Sequence, residues 1–189
     1  MKRLLNWLLP VSAALTLAAC GSTPAPVASN TPTYETATQN LFIASGRNAV
    51  DALLQGLDAK QLTQAPVLVA TVVDVNDLSR SAPLGRTLSE IYASQMASKG
   101  FNVKEMKLRG NVYVKEGAGE LLLSREIRDI ASNHSAGLVL VGTYSQATQY
   151  TYISLKLVRV ADGRIIRSHD YALPNDRDVL RLLGTQHYS

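Results

Sequence analysis

The sequence predicts a single α/β (α+β) domain: a mixed sheet with helices packed against it, in the order α-β-α-β-α-β-β-β-α. Three observations carry that prediction. Val67–Val73 and Leu138–Tyr144 are nearly unbroken apolar runs of strand length, the pattern of strands covered on both faces. Between them lie segments whose apolar residues recur at helical spacing. Near the end, Asp162-Gly163 separates two alternating segments as a tight hairpin turn, since both residues tolerate positive φ. Strands that alternate with helices give parallel pairs, and the closing hairpin adds antiparallel ones.

Phe42, Ala49, Val50, Leu53 and Leu57 form one stripe, predicting an amphipathic helix over about residues 38–57. The Val67–Val73 strand follows. A second helix is expected over 84–99, with Leu84, Leu88, Ile91, Tyr92 and Met96 as its apolar face. Pro83 suits its first turn, and Gly100 ends it. Phe101–Leu108 alternates as a strand, and Val112–Val114 reads as a short added one. Ser124 can cap a third helix, with Glu126 in its first turn and Ile127, Ile130, Ala131 and His134 along one side. Leu138–Tyr144, Gln149–Val160 and Ile165–Leu173 are the remaining strands. Asn175 can cap a closing helix carrying Val179, Leu182 and Leu183, with Gly184 after it.

The start of the chain has a different character. Lys2 and Arg3 precede an apolar run from Leu4 to Leu17, and Ala18, Ala19 and Cys20 follow. That is the layout of a secretory signal peptide. The run is too short to span a bilayer comfortably, which takes about 20 apolar residues. Leu17-Ala18-Ala19-Cys20 resembles the lipobox of bacterial lipoproteins. The resemblance implies cleavage between Ala19 and Cys20, a diacylglycerol on the Cys20 thiol, and an acyl chain such as palmitate on the new amine. Residues 1–19 are thus expected to be a signal peptide. Residues 20–35 are the lipidated cysteine and a tether rich in Pro, Ser and Thr, and 36–189 are the globular domain. Fifteen residues separate Cys20 from Thr36, a reach of roughly 45 Å at about 3.1 Å each if extended. Gly21 in place of Asp favours the outer membrane by the enterobacterial sorting pattern, with the domain facing the periplasm.

Composition narrows the function. Without residues 1–19 the chain has 17 basic and 15 acidic side chains. They are scattered, which argues against a nucleic-acid partner. Cys20 is the only cysteine, so no disulfide is available and the core alone must hold the fold. The 46% hydrophobic content is enough for that.

The motifs of common chemistry fail one by one. Gly117-Ala-Gly119 begins like a dinucleotide loop, but Leu122 stands where the third small residue is needed, so a simple turn is the better reading. His134, His169 and His187 lack metal-ligand spacing. Asp74, Asn76 and Asp77 start like a calcium loop, but Leu78 and Ser79 break the ligand ladder. No Gly-x-Ser-x-Gly elbow occurs. We therefore expect no enzyme activity, no cofactor, no metal and no small-molecule substrate.

Two groups of residues are candidates for partner binding. Asp74, Arg80, Ser81 and Arg86 lie where a core strand ends and a helix begins, a common ligand position in open α/β sheets. A role in fixing that turn competes with binding and is the favoured reading. Tyr144, Tyr150 and Tyr152 flank a short connection, and tyrosines are enriched at interfaces. Packing on the sheet face is the competing role.

The sequence is similar to the FlgO family of outer-membrane lipoproteins linked to flagellar motility, over about residues 40–185. The stretches that carry the resemblance are Val67–Val73, Leu78-Ser-Arg-Ser-Ala-Pro-Leu-Gly-Arg86, Leu123–Glu126, Leu140–Ser145 and the hairpin at Asp162-Gly163. It implies a fold similar to the front domain of TolB and to CsgG-like lipoproteins. It also implies a non-enzymatic role in flagellar or other envelope assembly, with envelope proteins or further copies of itself as partners. A CsgG-like secretion oligomer and a cell-wall synthase activator are the alternatives. The first needs membrane-crossing strands, and the 149–173 hairpin has the length for them.

Overall fold

The computed structural model describes residues 31–57, 65–105, 113–116, 120–123, 129 and 131–184. Cys20 and the cleavage site lie outside them, as do Ser124, Glu126, Ile127 and Ile130. The domain is a six-stranded mixed sheet with helices on both faces. Helices α1 (Tyr34–Thr38) and α2 (Leu41–Leu54) come first. Strands β1 (Val67–Val69) and β2 (Val73–Asp74) precede helix α3 (Pro83–Ser98). Next come β3 (Val103–Glu105) and the hairpin of β4 (Tyr113–Glu116) and β5 (Glu120–Leu123). Residues 131–133 are helical. Strands β6 (Leu138–Gln146), β7 (Tyr150–Arg159) and β8 (Ile165–Pro174) and helix α4 (Arg177–Leu183) are the last described elements.

The sheet order is β3-β1-β6-β7-β8, with β2 also on β6. β3, β1, β2 and β6 are parallel, and β6, β7 and β8 are antiparallel. The crossover from β2 to β3 and the one from β3 to β6 run in opposite directions along the sheet. A common right-handed sense therefore puts their helices on opposite faces. α3 accordingly packs with α2 on the larger core, beside Ile153, Leu155 and Leu157. Ala131 packs in the smaller cluster on the other face, with Leu68, Val139 and Val158. The expected mixed-sheet α/β fold is present, the short strand expected at Val112–Val114 appears as β4, and α1, β5 and a split first strand are added. The β7–β8 hairpin is bound into this sheet, so its length serves sheet pairing.

Several boundaries differ from expectation for physical reasons. The first helix is broken at Gln39-Asn40, because the Asn40 side chain accepts from the Ile43 N–H at 3.2 Å and caps α2. Of the strand predicted over 101–108, Val103–Glu105 is extended, Phe101 and Asn102 precede it outside the strand, and 106–108 lie outside the described residues. Residues 120–123 form β5, paired with β4 in the register Glu116↔Glu120; Gly117–Gly119 lie outside the described residues. His134 is exposed while Ala131 is buried. Asn175 does not cap the closing helix. Asp176 does, accepting from Val179 N at 2.8 Å. Asn175 instead donates to Ala147 O at 2.7 Å and accepts from Thr151 Oγ1 at 2.7 Å, tying the β6–β7 connection to the end of β8.

The first strand is split by a bulge. Val69 pairs with Leu140 and Val73 with Thr143, so β1–β2 spends one residue more than β6. At the bulge, Val72 finds its hydrogen-bond partners in α3 and in the loop before it. Val72 N donates to Ser89 Oγ at 2.9 Å, and that hydroxyl donates to Gly85 O at 2.8 Å. Ser89 is buried. Replacing it with alanine is expected to cost about 1–3 kcal/mol by orphaning the Val72 N–H, read as a lower denaturant midpoint at unchanged slope.

Candidate functional site

The strand–helix connection at residues 74–86 holds the first group of candidate residues. Asp74 N donates to Arg80 O at 2.9 Å, closing the loop on itself. The Asp74 carboxylate accepts from Asn76 N at 2.8 Å, and Asp77 makes the same kind of turn with Ser79. The hydrogen bonds from Ser79 hold the Asp77 carboxyl below its ordinary range. Ser81 Oγ donates to Val72 O at 2.8 Å, and Arg86 Nη1 donates to Ser81 O at 3.0 Å. Three of the four candidates are thereby engaged in building the turn. Arg80 is exposed, and its guanidinium makes no hydrogen bond or ion pair among the described residues.

Tyr144 belongs to this lock. It is 3% exposed, and its hydroxyl accepts from Ala82 N at 3.1 Å. Burial pushes its phenol upward from the ordinary value. The expectation that it shares an interface with Tyr150 and Tyr152 is corrected: Tyr144 faces the helices because it pairs with Ile153, a core residue. Tyr150 and Tyr152 lie on the other face of β7, 44% and 54% exposed.

On that outer face is a groove of about 500 Å³. Strand register assembles it. Thr143, Ser154 and Asp170 form one cross-strand row, and Ser145, Tyr152 and Ala172 form the next. Val75, 39% exposed, closes one side. Of these residues sequence reasoning named only Tyr152. The signal was the outward alternation of small polar residues along β6, β7 and β8, but their rows appear only once the register between strands is known. Among the described residues no group of three or more His, Cys, Asp or Glu side chains is placed to hold a metal. No helix there is long and apolar enough to cross a membrane.

Fold and groove together define a class: a mixed-sheet α/β domain whose strand-end polar groups largely build the fold and whose outer sheet face carries an open groove. Within that class, the chain belongs to the FlgO family; the family model, FlgO protein, matches residues 47–178. Among solved structures, the LpoB C-terminal domain from Salmonella enterica is similar at 18% identity and a TM-score of 0.48, over 70% of this chain and 97% of that one. The NMR structure of Escherichia coli LpoB is similar at 18% identity and 0.43, over 90% and 88%. The PelC dodecamer from Paraburkholderia phytofirmans is similar at 13% identity and 0.40, over 59% and 72%. At these identities the likeness is one of fold. No curated protein matches the chain's sequence.

Proposed function

We propose that the chain is a non-enzymatic lipoprotein of the bacterial envelope, anchored through Cys20 to the periplasmic side of the outer membrane. Its globular domain takes part in flagellar or other envelope assembly by binding other proteins. The observation that carries this reading is membership of the FlgO family over residues 47–178. Two further facts support it. Leu17-Ala18-Ala19-Cys20 has the lipobox pattern, and a triacylated cysteine makes a durable anchor where one chain does not. Three of the four polar candidates at the strand end are engaged in the fold, which favours the outer sheet face with its exposed tyrosines as the recognition surface.

Deleting the gene is expected to weaken swimming and to reduce or deform flagella in electron micrographs. The intact gene should restore both, and Cys20→Ala should not. Labelled palmitate should enter the intact protein, and Cys20→Ala should remain unlabelled and leave the membrane fraction. Normal swimming with normal filaments would detach the protein from the flagellum. An unlabelled wild type would remove the anchor.

A further inference from the structure

The outer-face groove is lined by side-chain acceptors without partners among the described residues. Thr143, Ser145, Ser154, Tyr152 and Asp170 line it. None of these side chains makes a hydrogen bond or ion pair among the described residues. The ion pairs formed there are Lys99–Asp51 and Arg159–Asp162. Lys156 stands on the same face as Asp170, one row further along β7 beside Ser168, and still forms no ion pair with it. Asp170 is exposed, at the end of the Thr143–Ser154–Asp170 row. Tyr152 is its diagonal neighbour, a separation of about 7–8 Å that leaves room for a flat group between ring and carboxylate.

Resting on the reading of this protein as a binding component, the geometry points to a partner of stated chemistry: an arginine side chain on an exposed segment of another envelope protein. The charge argument selects it. A lone carboxylate flanked by hydroxyls is a site for a cation with several donors. Guanidinium has five donors in a planar fork, pairs with carboxylate through two of them, and stacks on an aromatic face. Asp170 takes the fork, Ser154 and Thr143 take further N–H groups, and the Tyr152 ring covers the plane. Val75 gives the side chain's methylene stem an apolar wall. A lysine ammonium would find the carboxylate but would not use the hydroxyl row and the ring together. A neutral glycan would use Asp170 only as a hydrogen-bond acceptor and gain nothing from its charge.

The test uses the mature lipidated protein in detergent micelles, labelled with ¹⁵N. It is titrated with the pentapeptide Gly-Val-Arg-Val-Gly and with the same peptide carrying citrulline, which keeps the shape and removes the charge. We expect saturable shifts of the Thr143, Ser154 and Asp170 amides with the arginine peptide. The citrulline peptide should bind at least about tenfold more weakly, a loss of about 1.4 kcal/mol. Asp170→Asn should lose binding to the same degree while its remaining amide signals stay in place, because the side chain is exposed. Tyr152→Ala should weaken binding independently. Equal binding of the two peptides, shifts confined to other faces, or shifts of these amides by chitotriose and not by the arginine peptide would each overturn the inference. This readout does not depend on swimming. A deletion phenotype without arginine binding sinks only the arginine site. Arginine binding with no envelope phenotype sinks only the wider reading.

Discussion

Gly85→Ala is expected to destabilise the domain by about 3 kcal/mol or more, the upper end of overpacking costs. A Cβ at Gly85 would lie 2.0 Å from Val72 O and 2.7 Å from Ser81 Oγ. Neither neighbour can yield. Val72 O is a backbone atom in the bulge, and Ser81 Oγ is already bonded to it at 2.8 Å. The added methyl must therefore push α3 off the sheet, which also pulls Ser89 from Val72 N. For a chain of this size the melting temperature should fall by about 6–12 °C, at roughly 2–4 °C per kcal/mol. Gly46→Ala is the matched control. There the Cβ meets Ile91 Cγ2 at 2.9 Å, a side-chain methyl and not backbone. Its χ1 is stiff, so the helices must part slightly, but the helix preference for alanine over glycine offsets part of the strain, and a loss of about 1–2 kcal/mol is expected. Equal losses at the two positions would show that α3 is not pinned at Gly85.

Tyr92→Ala should cost a comparable amount, about 3–5 kcal/mol, the range for removing a buried aromatic ring. Tyr92 is fully buried on α3, where it packs beside Gly46 of α2 and hydrogen-bonds through its hydroxyl to Tyr171 of β8. The ring thus joins two helices and the sheet edge. Tyr92→Phe keeps the ring and removes only the hydroxyl pair, so it should cost about 1–2 kcal/mol. The difference between the two variants, measured by denaturant unfolding, isolates packing from the hydrogen bond. The same pair has a pH signature. Burial raises both phenols, Tyr92 well above its ordinary value and Tyr171 to about 12. Folded values above the unfolded ones favour the neutral form, so the stabilisation is complete below about pH 10 and is lost as pH rises toward 12. Tyr92→Phe should flatten part of that alkaline decline. An identical decline in wild type and variant would remove this pair as its cause.

Both predictions concern features that a sequence displays without explaining. Leu78–Arg86 stands out as a strand-to-helix entry, and Pro83 and Gly100 bound α3 within a residue, since those signals act on neighbouring backbone. Gly85 is different. Its need for hydrogen in place of a side chain comes from Val72, thirteen positions earlier in the chain, and arises only when α3 docks on the bulge. Asn175 and Asp176 are both good capping residues side by side. The choice between them is made by Ala147 and Thr151, which claim Asn175 from across the sheet.

The tyrosines show the same division. Alternation puts Tyr150 and Tyr152 on one face of β7, and the sequence alone establishes that much. Whether that face is core or surface, and that Tyr144 falls on the opposite one, depends on pairing between β6 and β7. Likewise Thr143, Ser154 and Asp170 are three isolated polar residues until two strand registers set them in a row. By itself the sequence determined the family, the mixed-sheet class and the ends of α3. These depend on local backbone preference, apolar periodicity and short motifs. The tertiary structure alone decided the bulge lock at Gly85 and Ser89, the burial of Tyr144, and the groove around Asp170. Each is a contact between residues far apart in the chain, fixed by register and helix docking rather than by any residue's own preference.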